Sequence, residues 1–188
     1  MVIIRKPRVR RKSCGFFSDF YDLDGWSIAG QGTVTTDGAL APLSYGTAEG
    51  PRVYRAVAIP GDFTCAVPMS FTPTTSGMGS IAFNISGESG SEIKFYVGDG
   101  WALESKKIAY STIGNGADVL VVGKSSGSFN GTLITERSGE NITIKLGETV
   151  VNSGVFSESV TEISIRFTRN SDYAPIYTMS VGSVLLEC

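Results

Sequence analysis

Hydrophobic and polar residues alternate with a period of two along most of this chain, a pattern typical of half-buried β-strands. The clearest case is the segment Phe63–Phe71, in which every second side chain is apolar or a cysteine. No segment has the spacing of an amphipathic helix. The strands that this pattern predicts are 26–28, 32–36, 39–43, 52–59, 62–72, 79–86, 92–97, 102–110, 119–123, 131–137, 142–146, 149–156, 161–168 and 176–186.

Turn signals rich in Gly, Asn and Asp separate these strands at short intervals, as in Thr36-Asp37-Gly38 and Asn130-Gly131. The clearest hairpin runs out along 132–137, turns at Ser138–Asn141 and returns along the apolar row Ile142, Ile144 and Leu146. Many short strands without helices predict an all-β, two-sheet antiparallel jelly-roll β-sandwich. We expect one lectin-like domain over residues 16–188, preceded by an extended N-terminal arm over residues 1–15.

Three segments resemble the concanavalin A-like (laminin G-like) lectin/glucanase superfamily. Residues 17–40 contain a Trp followed by a D-G-x-L strand, residues 61–83 resemble the two long central strands, and residues 133–145 resemble a frequent hairpin. The resemblance implies a concanavalin A-like sandwich with a concave front sheet, of the kind found in phage structural proteins.

The chemistry available to this chain is narrow, because it contains no histidine. This absence excludes Ser-His-Asp and Cys-His catalysis and any metal site that needs an imidazole. The resemblance implies that catalytic members carry an acidic E-x-D-x-x-E strand, which this sequence lacks. We therefore expect no enzymatic activity. A hydrolase that uses other carboxylates remains the alternative, and it would need a close pair of acids on the concave face.

Charge is divided unevenly between the front of the chain and the rest. The whole chain has 16 basic and 18 acidic residues, yet residues 1–14 hold six basic residues and no acid, which leaves a net charge of −8 for residues 15–188. The basic side chains of the arm are Arg5, Lys6, Arg8, Arg10, Arg11 and Lys12.

This basic arm has three interpretations. It could bind nucleic acid, but it has no interleaved aromatic residues and the acidic body would repel phosphates. It could be a solvated tail. The favoured interpretation is an anchor that lies extended on an acidic or strand-edge surface of another subunit, with Pro7 preventing a helix and Val2–Ile4 able to add a strand. A homo-oligomer in which one copy's arm binds the next copy follows from the same charge division.

Three cysteines, Cys14, Cys65 and Cys188, do not make an even set of disulfides. Cys65 falls on the apolar side of its strand and is expected to be buried. The sequence has neither a signal peptide nor an apolar run long enough to span a membrane, so we expect synthesis in a host cytoplasm. Cys14 and Cys188 could meet if the terminal strands pair, but a reducing compartment argues against a disulfide.

Aromatic and acidic residues around 96–110 form the candidate glycan site. Trp101 follows a turn and lies near Tyr96, Asp99 and Tyr110 in sequence, and an exposed aromatic ring can stack on the apolar face of a sugar. The alternative for Trp101 is that it caps one end of the core. Trp26 is expected in the core.

No cofactor is expected, with a calcium ion as the alternative. Its candidate ligands are Asp99, Asn115 and Asp118, because Ca²⁺ prefers oxygen ligands in loops. Turns also favour these residue types, so their presence does not require a metal.

Together these features predict a non-enzymatic virion structural protein, such as a phage capsid decoration, head fibre or tail adhesion component. Its arm would bind other virion proteins and its lectin-like domain would be displayed outward. The alternative is a carbohydrate-binding module that binds surface polysaccharide outside a virion. Neither nucleic acid nor a membrane is expected as a partner.

Overall fold

In a computed structural model, the protein is described at residues 14–45, 49–73, 79–99, 107–123, 128–169 and 177–188. The predicted basic arm therefore lies outside the described residues, apart from its last two positions. No helix that could cross a membrane is present in the described part of the chain. These residues form the strands β1 (Phe16–Ser18), β2 (Ser27–Ala29), β3 (Gly32–Thr35), β4 (Ala41–Tyr45), β5 (Glu49–Ile59), β6 (Phe63–Pro73), β7 (Gly79–Gly87), β8 (Glu92–Asp99), β9 (Lys107–Ile113), β10 (Val119–Gly123), β11 (Phe129–Ser138), β12 (Asn141–Leu146), β13 (Thr149–Val155), β14 (Val160–Arg169), β15 (Tyr177–Val181) and β16 (Val184–Glu187).

Two seven-stranded antiparallel sheets make up the sandwich. The first sheet has the order β1-β16-β6-β11-β12-β13, and β15 pairs with the other half of β6. The second sheet has the order β10-β9-β8-β7-β14-β5-β2, and β3 and β4 form a separate hairpin. The predicted all-β jelly-roll sandwich is confirmed.

The core lies between the two sheets and is built from the apolar rows that the alternation predicted. In β6 the buried row is Phe63, Cys65, Val67, Met69 and Phe71, and β7, β8 and β14 supply corresponding rows from the second sheet. Because side chains in a strand alternate between faces, burying these rows directs their neighbours away from the core. The rows of the second sheet are Ile81, Phe83, Ile85, Ile93, Phe95, Val97, Ile163, Ile165 and Phe167.

Trp26 is buried, as the sequence predicted, in an aromatic cluster at the start of the domain. Its ring centroid lies 5.8 Å from that of Phe16 and 5.5 Å from that of Phe20. The guanidinium of Arg55 lies 4.2 Å from the Phe16 ring centroid and so covers this cluster. Phe16 belongs to β1, a three-residue strand that the alternation pattern missed because it is too short to show a period.

The ends of the domain meet in the first sheet, where β16 lies between β1 and β6. Phe16 pairs with Leu186, and just beyond them Cys14 and Cys188 form a disulfide with a Cα–Cα distance of 5.8 Å. The expectation that these cysteines stay reduced is thus wrong for this structure. Antiparallel pairing of the terminal strands places the two cysteines side by side. The expectation was based on a reducing compartment, which gives no information about the distance between the two cysteines.

The strand predicted at 176–186 is in fact two strands. The chain breaks at Gly182 and Ser183, and β15 and β16 pair with successive parts of β6. At the break, the Gly182 N–H donates to the Pro68 carbonyl at 2.9 Å. The hairpin predicted at 132–146 is confirmed as β11 and β12, with Ser138 opposite Asn141.

Counting accessible thiols will check the cysteine arrangement. Without reductant, we expect no thiol to react in the native protein and one thiol per chain to react in urea, because Cys14 and Cys188 are bonded. Cys65 is fully buried, and this burial raises the pKa of its thiol to about 12, so it should react only after unfolding. Titration with a chromogenic disulfide reagent gives both numbers. Three reactive thiols in urea would contradict the disulfide, and one in the native protein would contradict the burial of Cys65.

Replacing both bonded cysteines with serine should lower the free energy of unfolding by about 2–5 kcal/mol, because the bridge closes a long loop in the unfolded chain. The two cysteines are 174 residues apart. Urea unfolding followed by circular dichroism measures the difference. Reductant should lower the wild-type midpoint to that of the Cys14→Ser/Cys188→Ser variant and leave the variant unchanged. Equal midpoints for the wild type and the variant, both without reductant, would contradict a stabilising bridge.

Candidate functional site

The outer face of the second sheet contains short side chains that point away from the core and are nevertheless buried. Ser80 and Ser164 are each 1% exposed, and Ala82 and Asn84 are each 6% exposed. They lie side by side on β7 and β14, where Ser164 pairs with Asn84. Longer side chains flank them at Tyr54 on β5 and at Lys94 and Tyr96 on β8. We call this strip of short residues between longer ones the trough.

One row of side chains crosses this trough in a fixed order. Strand register places Arg52 beside Arg166, Arg166 beside Ala82, Ala82 beside Tyr96, and Tyr96 beside Tyr110. Neighbouring strands are about 4.8 Å apart, so the row extends over roughly 19 Å. It has cations at one end, tyrosines at the other and a small residue in the middle.

Tyr96 and Tyr110 stack on each other across β8 and β9. Their ring centroids are 5.0 Å apart and their planes are inclined by 19°. Desolvation, followed by the charges of Asp118 and Tyr96, raises the pKa of Tyr110 to about 12. At neutral pH the hydroxyl of Tyr110 is therefore protonated and can donate a hydrogen bond. The structure thus brings together two of the residues that the sequence predicted for a glycan site.

The two arginines in the row differ in what they contact. The Arg52 guanidinium lies 4.8 Å from the Tyr54 ring centroid and forms an ion pair with Glu162. Arg166 is exposed, and no hydrogen bond or ion pair to it occurs within the described ranges. The row therefore has one restrained guanidinium and one that is available to a ligand.

Asn84 on the trough floor has an unused hydrogen-bonding atom. Its side-chain carbonyl oxygen Oδ1 is buried and has no hydrogen-bond donor. Buried polar atoms are almost always hydrogen-bonded in folded proteins, so this unpaired acceptor is an exception on the outer face.

A polar pocket of about 270 Å³ adjoins the trough beside Tyr110. The Thr112 hydroxyl donates to the Asp118 carboxylate at 2.5 Å, and the Lys94 ammonium lies 3.1 Å from the Glu92 carboxylate. The pocket is lined by Gly90, Ser91, Glu92, Lys94, Tyr110, Thr112, Gly114, Asn115 and Asp118.

Two tight turns shape this pocket, and each needs a glycine. Gly90 and Gly114 have φ angles of +87° and +56°, which favour a residue without a Cβ. Glu158 also stabilises the first turn. Its carboxylate accepts hydrogen bonds from the Ser89 backbone N–H at 2.8 Å and from the Ser89 hydroxyl at 2.5 Å. Hydrogen bonds from Ser89 and Ser91 lower the pKa of Glu158.

The three predicted calcium ligands do not come together. Asp99 ends β8, whereas Asn115 and Asp118 follow β9 at the opposite end of the sheet, beside Glu92 at the start of β8. The β8–β9 pairing separates them, because Asn115 and Asp118 lie at the Glu92 end of β8 and Asp99 lies at its other end. Within the described ranges, no group of three or more His, Cys, Asp or Glu residues could hold a metal ion.

Trp101 lies outside the described residues, so its predicted role in a glycan site stays a prediction. Asp99 lies at the other end of β8 from the pocket. Sequence reasoning missed Arg52, Arg166 and Asn84. Their alternation with core residues showed that they face outward, but nothing local indicated that the three strands would be neighbours.

No family model and no curated protein matches this sequence. Several solved structures do share its architecture. The CBM2 module of the evolved Dit of Lactobacillus casei BL23 phage J-1 has a TM-score of 0.72 and 12% identity, over 92% of this chain and 94% of that one.

Two further solved structures have the same fold. Apo Crh5 transglycosylase has a TM-score of 0.68 and 15% identity, over 93% of this chain and 84% of that one. The carbohydrate recognition domain of Emp47p has a TM-score of 0.64 and 9% identity, over 87% of this chain and 88% of that one. At such identities the likeness concerns the fold. The chain has the same two-sheet jelly-roll sandwich fold as these proteins, in agreement with the fold that its sequence predicted.

Proposed function

We propose that this protein is a non-catalytic, lectin-like domain that binds carbohydrate in the trough on the outer face of its second sheet. The observation that carries this proposal is the stacked pair Tyr96 and Tyr110 beside the small residue Ala82. Aromatic rings offer a flat apolar face to the C–H groups of a sugar, and Ala82 leaves space for a sugar ring next to Tyr96.

Polar groups around this platform support the same function. The hydroxyl of Tyr110 is protonated and donates a hydrogen bond to a sugar oxygen. The adjoining pocket adds the carboxylate of Asp118 and the amide of Asn115. A chain of several sugars can therefore contact the trough and the pocket at once.

The arrangement of acids on this face favours binding over hydrolysis. Glu92 and Glu162 lie in one row on either side of Ser86, and each is engaged by a cation, Lys94 and Arg52 respectively. A glycosidase needs one carboxyl that carries a proton and a second carboxylate at a set distance from it. Because these two acids are in ion pairs and the third carboxylate, Asp118, accepts a hydrogen bond from the Thr112 hydroxyl, we propose that no glycosidic bond is cleaved here.

We further propose that the domain is displayed on a phage particle and anchored there by its basic arm. The fold that it shares with a phage protein module supports this assignment, as does the separation of a basic arm from an acidic body. The arm joins the domain at Cys14, at the edge of the first sheet, while the trough belongs to the second sheet. Anchoring and sugar binding therefore use different parts of the chain.

Replacing Tyr96 or Tyr110 with alanine should weaken glycan binding about tenfold or more, since roughly 1.5 kcal/mol of aromatic contact corresponds to about tenfold in Kd. A glycan array identifies the ligand, and biolayer interferometry then measures Kd for each variant. Tyr21→Ala is the matched control, because Tyr21 is 71% exposed and lies in the loop after β1. Absence of binding by the wild type to any glycan would refute the function, and unchanged binding by Tyr96→Ala would refute this location.

Deleting residues 1–13 should abolish self-association if the arm binds acidic surfaces, including the body of another copy. Sedimentation velocity should show oligomers for the full chain at low ionic strength and monomers for the truncated chain. Oligomers of the full chain should dissociate in high salt, because screening weakens attraction between the basic arm and the acidic body. Oligomers that survive both truncation and salt would show that another surface joins the copies.

A further inference from the structure

We infer that the carbohydrate bound in the trough is anionic, and that Arg166 engages its carboxylate, sulfate or phosphate group. This inference rests on the proposed carbohydrate-binding function and adds the charge of the ligand to it. It depends on the contacts of the cations, on the position of Arg166 in the row and on the local charge of the face.

Arg166 differs from the other cations whose side chains the structure describes, because each of those has a protein partner. Arg52 pairs with Glu162, Lys94 with Glu92, and Lys145 with Glu136. The remaining two donate to backbone carbonyls, Arg55 to Asp24 at 3.0 Å and Arg137 to Gly139 and Glu158 at 2.8 and 2.6 Å.

The position of Arg166 suits contact with a sugar on the tyrosine platform. Only Ala82 separates Arg166 from Tyr96 in the row, so their strands are about 10 Å apart. A sugar ring stacked on Tyr96 above Ala82 directs its edge substituents toward the guanidinium. A guanidinium donates two parallel hydrogen bonds to a carboxylate or phosphate, which a neutral hydroxyl cannot accept in the same way.

Local charge on this face also favours an anion, although the protein as a whole is acidic. Three cations, Arg52, Lys94 and Arg166, face three carboxylates, Glu92, Glu162 and Asp118, among the described side chains of the outer face and its pocket. Ion pairs neutralise Glu92 and Glu162, and Asp118 lies beside Tyr110, at the other end of the row from Arg166. An anion at the arginine end of the trough therefore meets the uncompensated charge of Arg166.

The test compares wild type, Arg166→Gln and Arg166→Lys on a glycan array that contains matched neutral and anionic polymers. The matched probes are methyl-esterified and free polygalacturonate, dextran and dextran sulfate, and mannan and phosphomannan. We expect the wild type to prefer an anionic member of a pair. Arg166→Gln should weaken that binding about 10- to 100-fold, since a hydrogen bond to a charged group contributes roughly 1.5–3 kcal/mol. The affinity of Arg166→Lys should lie between those of the wild type and Arg166→Gln, because lysine retains the charge but loses the paired donors.

Two controls separate this inference from the function on which it rests. Lys145→Gln removes one positive charge from the first sheet and should not change binding, and a thermal unfolding curve verifies that Arg166→Gln is folded. If the wild type binds neutral and charged members equally, or if Arg166→Gln binds as wild type does, the ligand is not recognised by its charge, while the lectin function stands. If no glycan is bound, the proposed function fails and this inference fails with it.

Discussion

Burial of apolar rows between the two sheets fixes the orientation of the strands in this protein. Side chains in a strand alternate between two faces. Because Ile81, Phe83 and Ile85 are buried in the core, the residues between them point to the outer face. A slip of one residue in β7 would expose all three and bury Asn84 and its neighbours against the other sheet. The core thus sets the register, and the register sets which residues meet on the outer face.

The outer face of the second sheet is best understood as a consequence of that register. The row from Arg52 to Tyr110 draws on five strands that are far apart in sequence, and each pair in it is a cross-strand neighbour. Most charges on the face are compensated by a neighbour, as for Arg52 and Glu162. Arg166 has no such partner among the described residues, and it lies next to the small residue Ala82.

The other sheet closes the domain. With β16 between β1 and β6, the two ends of the described chain meet at the edge of the first sheet, and the disulfide between Cys14 and Cys188 joins them. This closure holds β1 in place, and with it Phe16, which packs on Trp26. It also places the attachment point of the basic arm on a different sheet from the trough.

Local sequence was sufficient to predict the strands of this fold but not to predict which residues form the candidate site. A strand was predicted from the alternation of Phe63–Phe71, a hairpin from the turn at 138–141, and a core position from the size and apolar character of Trp26. These predictions succeeded because the face to which a side chain points and the formation of a turn depend on residues close together in the chain. Strand order and register decided the rest. They placed Arg166 beside Ala82 and Tyr96, separated Asp99 from Asn115, and paired Cys14 with Cys188. These outcomes depend on pairing between strands that are distant in sequence, and only the packing of the whole chain determines that pairing.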